Sequence, residues 1–311
     1  MHYSESDQAL MLCCAHLAGA AGPHPLATAE WDALARFLMA ARKTPADLLD
    51  AAFVASLPDA IAAEGSASRT IPKARIEALL SRGLALGVTL ASWEERGIWV
   101  ATRASPLFPA ALRRTLGRSS PPLFYTAGSP ELLQGDAVGI VGSRDAAPEA
   151  LAWAEAFGAE AARAGVTVVS GNARGIDRAG MTGALQAGGR AVGFVADSLM
   201  RAVLRPENRR FIASGRLALL TPFGPEAPFS RGTAMGRNRF IYAATQGVCV
   251  VASAETGGTA TGAREALVNG WGRVFVRDRS MPGLRALAAL GAGTVPDDPE
   301  AAFEAIRAGE A

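Results

Sequence analysis

The sequence predicts an α/β protein with a doubly wound, mostly parallel sheet that follows an N-terminal helical domain. From residue 136 onward, apolar runs of strand length alternate with helical patterns. This alternation requires parallel strands joined by right-handed crossovers, with helices on both faces of the sheet. The runs are almost continuously apolar, as in residues 248–252, which indicates strands that are buried on both faces.

Residues 1–100 are predicted to form the helical domain. Ser, Thr or Pro stands near the start of several helical patterns, and an Ala- and Gly-rich segment at 18–23 separates the first helix from the second. The helices are expected at residues 7–18, 29–42, 45–57 and 72–86. Strand-like runs follow at residues 88–93, 97–102 and 123–126.

Residues 101–311 are predicted to form the second domain, which carries the parallel sheet. Its strands are expected at residues 137–141, 166–169, 190–195, 216–220, 247–252 and 272–276. Its helices are expected at residues 148–164, 176–187, 206–213, 237–245, 259–269 and 283–290. No winged-helix module is expected after the last of these helices.

The composition excludes several classes of protein. No apolar run reaches the roughly 20 residues of a membrane span, and the N-terminus lacks the basic region of a secretory signal, so we expect a cytoplasmic protein. Three cysteines are too few for a disulfide framework, and all are expected to be reduced and buried. The three histidines all lie near the N-terminus, so no metal site is expected.

The net charge of +2 does not indicate a general nucleic-acid binder, but arginine is unevenly distributed. Between residues 200 and 240 the chain has eight arginines and only two acidic residues. They form either a solvated face or a stripe that contacts phosphate, and their place in loops and helix starts beside the sheet edge favours phosphate. The eight are Arg201, Arg205, Arg209, Arg210, Arg216, Arg231, Arg237 and Arg239.

The strand at 137–141 is followed by a loop with Gly142, Ser143 and Arg144. Glycine allows a ligand to approach the backbone, serine can donate a hydrogen bond, and arginine can hold a phosphate through two hydrogen bonds. The G-x-G-x-x-G spacing of dinucleotide-binding loops is missing. We therefore expect neither a nicotinamide nor any other cofactor.

The next strand ends in a second motif of small residues, Ser170 and Gly171, followed by Arg174, Gly175 and Asp177. The carboxyl ends of parallel strands share one edge of the sheet, so Arg174 is expected beside the first motif. Asp177 falls in the first turn of a helix. There it can cap backbone N–H groups or orient the arginine.

Two further segments complete the candidate phosphate site. Arg237, Asn238 and Arg239 are expected at a helix start, where the helix dipole disfavours cations unless an anion is bound. Gly257, Gly258 and Thr259 follow the strand at 247–252 and offer backbone N–H groups and a hydroxyl. The interpretation requires these arginines to converge on one glycine-lined cleft and not to be consumed by internal ion pairs.

In this order the four motifs resemble the DNA-processing protein family, DprA (also called Smf), over residues 100–295. The resemblance implies an extended Rossmann-like domain of the SLOG superfamily that binds single-stranded DNA without catalysis. It also implies a homodimer through this domain and transfer of the strand to the recombinase RecA in natural transformation. In this chain the DNA-pocket role falls on Arg144, Ser170, Arg174, Arg237 and Arg239.

Several polar residues of the family pattern are replaced in this chain. Met181 stands in place of a usual His, Arg205 in place of the Tyr of a Tyr-Pro pair, and Ala252 in place of an acid. Thr221 and Pro222 stand in place of a Ser-Glu pair. These departures suggest a specialised relative that acts with a partner protein or in phage defence.

Two alternatives remain open. The pocket could bind a nucleotide or a nucleotide-derived signal, as in other SLOG proteins, or the chain could be a phosphoribohydrolase similar to the LOG enzymes. The second is disfavoured because Ala263 and Arg264 stand where those enzymes have acids, and Glu265 comes one position late. Phe223, Phe240 and Tyr242 are the aromatic residues near the motifs, and Phe240 is expected in the core.

Overall fold

The computed structural model describes residues 2–17, 22–62, 70–277 and 280–309. The chain divides into two compact units. The first unit comprises Met1–Phe108 and Gly117–Tyr125, and the second comprises Pro109–Leu116 and Thr126–Ala311. None of the helices in the described ranges combines the length and apolar character that a membrane span requires.

The first unit is mainly helical, with short strands. Its α-helices are α1 (Glu5–Cys14), α2 (Thr28–Ala40), α3 (Ala51–Ala55), α4 (Lys73–Leu80) and α5 (Gly83–Glu94). Its strands are β1 (Ala60–Ala62), β2 (Thr70–Pro72), β3 (Ile98–Thr102) and β4 (Leu123–Ala127), of which β1 and β2 form an antiparallel pair. The last two residues of β4 belong to the second unit.

Three sequence predictions for this unit are wrong in detail. Helix 7–18 ends at Cys14 within the described residues, and residue 18 lies outside them. The helix expected at 45–57 is a 3₁₀ turn, Pro45–Leu49, followed by α3, and the helix expected at 72–86 is divided between α4 and α5.

The strand expected at 88–93 is also wrong, because these residues belong to helix α5. Leu86, Thr89 and Trp93 are buried, and their spacing of three and four residues is the period of a helix. A short apolar run does not distinguish a strand from a buried helix, and here the helical period decides.

The second unit confirms the predicted fold class. Its strands are β5 (Ala137–Gly142), β6 (Thr167–Ser170), β7 (Ala191–Phe194), β8 (Leu217–Thr221), β9 (Gly247–Ala252), β10 (Arg273–Val276) and β11 (Gly293–Thr294). They lie in the order β11-β10-β9-β5-β6-β7-β8, and every adjacent pair is parallel. Because β9 returns to the side of β5, the strand order reverses between these two strands.

The second unit also contains α-helices, most of which connect these strands. They are α6 (Ala110–Leu116), α7 (Pro148–Arg163), α8 (Ile176–Gln186), α9 (Leu199–Leu204), α10 (Pro206–Ala213), α11 (Arg231–Ala243), α12 (Gly258–Asn269), α13 (Pro282–Ala289) and α14 (Pro299–Ala308). Strands β5 to β9 are buried along their whole length, as their apolar runs predict. All three cysteines are buried and unpaired by disulfides, as expected.

Candidate functional site

A cavity of about 650 Å³, which we call the main cavity, lies at the carboxyl ends of β5 and β9. It is lined by the loop after β5, by the loop after β9 and by residues of α11. In doubly wound sheets a crevice opens where the strand order reverses, because the connections leave in opposite directions there. The reversal between β5 and β9 therefore accounts for the position of this cavity.

The loop after β5 is held close to the neighbouring elements. A Cβ at Gly142 would lie only 2.6 Å from the Ile176 side chain, so glycine lets α8 begin beside the strand. The Ser143 N–H donates to the Ala252 carbonyl at 2.9 Å, which joins the ends of β5 and β9. Arg144 is exposed, and its guanidinium carbon lies 5.0 Å from the centroid of the Phe229 ring.

The glycine-rich turn before α12 forms the opposite wall. Gly257 has φ +113° and ψ −179°, a conformation that favours glycine. The Asn238 amide donates to the Gly258 carbonyl at 3.1 Å, and the Thr259 hydroxyl donates to the Gly142 carbonyl at 3.1 Å. Asn238 and Thr259 thus hold the wall in place, while Gly257 and Gly258 stay exposed.

A buried ion pair forms the floor of the cavity. Arg237 is 4% exposed and Asp177 is 7% exposed, and the Arg237 Nη1 lies 3.9 Å from the Asp177 Oδ2. Arg237 also donates to the Phe194 carbonyl at 2.9 Å. A Cβ at Gly171 would overlap the guanidinium, so any larger residue there would displace the Arg237 side chain.

Burial raises the pKa of Asp177, against the opposing effects of Arg237 and of backbone N–H groups. Burial likewise lowers the pKa of the Arg237 guanidinium. Burial therefore disfavours the charged form of each group, and the attraction between the two opposite charges offsets this cost. We infer that this pair supports the cavity from below and that Arg237 is not a surface cation. The expectation that the predicted arginines stay out of internal ion pairs is therefore wrong for Arg237, and also for Arg174, which pairs with Asp145.

The prediction that Arg237 and Arg239 stand at a helix start is wrong. Helix α11 begins at Arg231, where the Ser230 hydroxyl caps the helix by accepting from the Thr233 N–H at 2.9 Å. Serine is a preferred N-cap residue, so Ser230 is a start signal that the sequence carries. The exposed arginine at the helix start, beside the cavity, is Arg231.

The other predicted site residues occupy different surroundings. Ser170 is fully buried, and its hydroxyl donates to the Ile140 carbonyl at 2.5 Å. Arg174 is exposed and forms an ion pair with Asp145 at 2.5 Å. Arg239 does not line the main cavity, and its guanidinium carbon is 4.8 Å from the centroid of the Phe240 ring.

A second depression, which we call the side groove, adjoins the main cavity and has a volume of about 290 Å³. It shares Arg144, Phe229 and Arg237 with the main cavity. Its own lining includes Arg174, so the structure brings the first two predicted motifs together. Phe229 was not anticipated from the sequence, because it lies in an irregular segment between β8 and α11.

Gly175 controls how closely α8 approaches the loop after β5. It has φ +89° and ψ −138°, and a Cβ would overlap the Ser143 carbonyl oxygen. We expect Gly175→Ala to lower the free energy of unfolding by roughly 2–3 kcal/mol, from backbone strain and overlap together. Denaturant titration measures this change.

Gly188→Ala is the matched control, since Gly188 has φ +87° but open space around its Cβ position. In this variant the free energy of unfolding should fall only by the cost of the backbone strain at positive φ, roughly 1–2 kcal/mol. Equal losses in the two variants would show that the contact with the loop after β5 contributes nothing.

A family model described as DNA recombination-mediator protein A matches residues 99–295, which is more than half of the chain. The chain belongs to this family. Among curated relatives, the DNA processing protein DprA of Bacillus subtilis is 29% identical over 184 residues, which cover 58% of this chain and 61% of the relative. Protein Smf of Escherichia coli is 30% identical over 170 residues, which cover 53% of this chain and 44% of the relative.

This chain thus spans less than two thirds of the length of each of these curated relatives. Two solved structures show the same fold. DNA processing protein A of Streptococcus pneumoniae matches with a TM-score of 0.67 and 18% identity over 99% of this chain and 98% of that chain. DNA processing protein A of Helicobacter pylori matches with a TM-score of 0.57 and 19% identity over 69% of this chain and 97% of that chain.

Proposed function

We propose that this DprA-family protein binds single-stranded DNA at the main cavity without catalysing a reaction on it, and that it acts in DNA processing or recombination. One observation carries the proposal. At the mouth of a glycine-lined cavity, an exposed arginine lies over a half-exposed aromatic ring, namely Arg144 over Phe229. Arginine for phosphate and an aromatic ring for bases are the combination that binds single strands.

The charges around the main cavity support an anionic ligand. Arg144 and Arg231 are exposed in its lining, and Asp177, the acidic residue of that lining, is neutralised by Arg237. The exposed part of the cavity is therefore positive. A phosphate there would also meet the N-terminus of α12, whose first backbone N–H groups have no partner within the helix.

The size of the cavity favours a single strand. A volume of about 650 Å³ accommodates a nucleotide-sized group but cannot admit a duplex. The structure of the Helicobacter pylori relative was described for its mode of single-stranded DNA binding. The shared fold and family membership support the same ligand for this chain.

The double variant Arg144→Ala/Arg231→Ala tests the proposal. Each phosphate contact adds about 0.7 to the slope of log affinity against log salt for a single strand, so the slope should decrease by about 1.4. Affinity for single-stranded DNA should fall roughly tenfold or more at low salt. Fluorescence anisotropy over a salt series, with single-stranded, duplex and mononucleotide ligands side by side, measures both quantities.

Arg190→Ala/Arg307→Ala is the control, because it removes the same charge from exposed positions outside the cavity lining. Its salt slope should stay close to that of the wild type. Tight binding of a mononucleotide without retention of an oligonucleotide would replace the proposal with a nucleotide pocket. Equal losses in the two double variants would show that only net charge matters.

The proposal extends to the partners that the resemblance implies. These are a second copy of the chain, joined through the Rossmann-like domain, and the recombinase RecA or a partner in a defence system as the recipient of the strand. Family membership is the support for this assembly.

A further inference from the structure

The second unit has a separate depression at the opposite edge of its sheet, which we call the amino-edge depression. Its volume is about 330 Å³. It is lined by the end of α8, by α10 and by the residue before β8, namely Leu185, Gln186, Arg210, Phe211 and Arg216. The amino ends of β7 and β8 lie here, whereas the main cavity opens at the carboxyl ends of β5 and β9.

Two guanidinium groups of this depression lie against one aromatic ring. The guanidinium carbon of Arg210 is 4.3 Å from the centroid of the Phe211 ring, and that of Arg216 is 5.2 Å from it. Arg216 also donates to the Leu185 carbonyl at 3.0 Å. These contacts hold the guanidinium groups in place, so little side-chain freedom remains to be lost when a ligand binds.

The two positive charges have no counter-charge in the depression. No acidic residue lines it, and within the described ranges neither Arg210 nor Arg216 forms an ion pair. Glu207, one turn before Arg210 on α10, lies 3.8 Å from Arg178 instead. The described residues also give the Arg210 guanidinium no hydrogen-bond acceptor, so its planar N–H fork is available to an anion with two oxygens.

The chemistry of the depression favours a carboxylate over a nucleic-acid strand. Phe211 is only 7% exposed and both arginines cover its ring, so a base has no aromatic face on which to stack. Phe211 and the buried Leu185 form an apolar floor. A floor of this kind accepts an apolar side chain next to the carboxylate that the arginines hold.

We propose that the amino-edge depression binds an acidic segment of a partner protein, in which a carboxylate stands beside an apolar side chain. Strand β8 has five residues, so its length alone separates this depression from the carboxyl edge of the sheet by about 13 Å. A partner and a bound strand can therefore occupy the protein at the same time. The inference does not depend on the proposed function, because peptide binding is measured without DNA.

A short acidic peptide tests the proposal. The probe is a fluorescein-labelled nonapeptide made of three Asp-Asp-Leu repeats, and fluorescence anisotropy measures its affinity. Arg210→Ala/Arg216→Ala should weaken binding at least tenfold, because charge-assisted hydrogen bonds from both guanidinium groups are lost. A peptide of three Asn-Asn-Leu repeats should bind the wild type at least tenfold more weakly than the acidic peptide does.

Arg201→Ala/Arg209→Ala is the matched control. Both arginines are exposed on α9 and α10 and lie outside the lining of the depression, so the variant removes the same charge nearby. Its affinity for the acidic peptide should stay within about twofold of the wild type.

Charge reversal provides a gain of binding, which a folding defect cannot imitate. Arg210→Glu/Arg216→Glu should lose the acidic peptide and bind a peptide of three Lys-Lys-Leu repeats more tightly than the wild type does. The same measurement applies, with the two labelled peptides side by side.

Three results would overturn the inference. The wild type could bind the acidic peptide no better than the asparagine peptide, or the control variant could lose as much affinity as the depression variant. Alternatively, an excess of oligothymidylate could displace the acidic peptide from the wild type, which would assign the depression to the DNA strand. A protein that binds the acidic peptide but no single-stranded DNA would refute the proposed function and leave this inference standing.

Discussion

Replacement of Arg237 by methionine is expected to lower the free energy of unfolding by about 3–5 kcal/mol. The Asp177 carboxylate is buried beside the Arg237 guanidinium, and the substitution would remove this positively charged partner. A buried charge without a partner is among the most destabilising single changes in proteins. Denaturant titration at neutral pH measures the loss.

The loss should depend on pH in a defined direction. Burial already raises the pKa of Asp177 in the wild type, and removal of the arginine takes away an interaction that lowers it. A carboxyl group with a raised pKa binds its proton more tightly in the folded state, so protonation favours folding. The deficit of the variant relative to the wild type should therefore shrink as the pH falls through the raised pKa.

The double variant Arg237→Met/Asp177→Asn provides the control. Asparagine keeps an oxygen for the backbone N–H groups that Asp177 accepts from, but it carries no charge. We expect the double variant to regain at least half of the lost stability, so that the two effects are clearly not additive. An Arg237→Met loss below about 1 kcal/mol would contradict the assigned role of the pair.

This result bears on how binding data are interpreted. An Arg237 variant is expected to lose DNA binding whether Arg237 contacts phosphate or only supports the fold, because its replacement disturbs the floor of the main cavity. Only the stability measurement distinguishes a structural arginine from a phosphate ligand. The variants of Arg144 and Arg231 do not have this ambiguity, since both side chains are exposed.

The sequence was sufficient to predict the sheet and the edge of the sheet at which the main cavity opens. Buried parallel strands are nearly continuous apolar runs, so β5 and β9 could be recognised without knowledge of their partners. Parallel strands place all their carboxyl ends on one edge, which brings Gly142 and Gly257 to the same cavity. These conclusions depend on local pattern and on one topological rule.

The environment of each arginine could not be predicted in this way. Arg237 is buried because Asp177 and the Phe194 carbonyl, both distant in sequence, meet it in the folded chain. Arg239, two residues later on the same helix, lies outside the cavity lining because it emerges from another side of α11. A local sequence pattern does not show which face of a helix meets a buried acid.

Replacement of Phe229 by alanine is expected to weaken binding of single-stranded DNA about tenfold to a hundredfold, the contribution of one stacked base. The ring is 50% exposed at the mouth of the main cavity, so its removal should leave the free energy of unfolding almost unchanged. Fluorescence anisotropy with a labelled oligothymidylate gives the affinity. Thermal unfolding confirms that the fold is intact.

Three companion variants determine what Phe229 contributes. Phe229→Trp should retain binding and Phe229→Leu should not, if the flat ring is what a base requires. Leu204→Ala, which removes another exposed apolar side chain outside the cavity lining, should have no effect. The salt slope of Phe229→Ala should equal that of the wild type, because stacking involves no phosphate. A slope that falls as in the Arg144 variants would mean that Phe229 acts only by holding the Arg144 guanidinium, which lies 5.0 Å from the ring centroid.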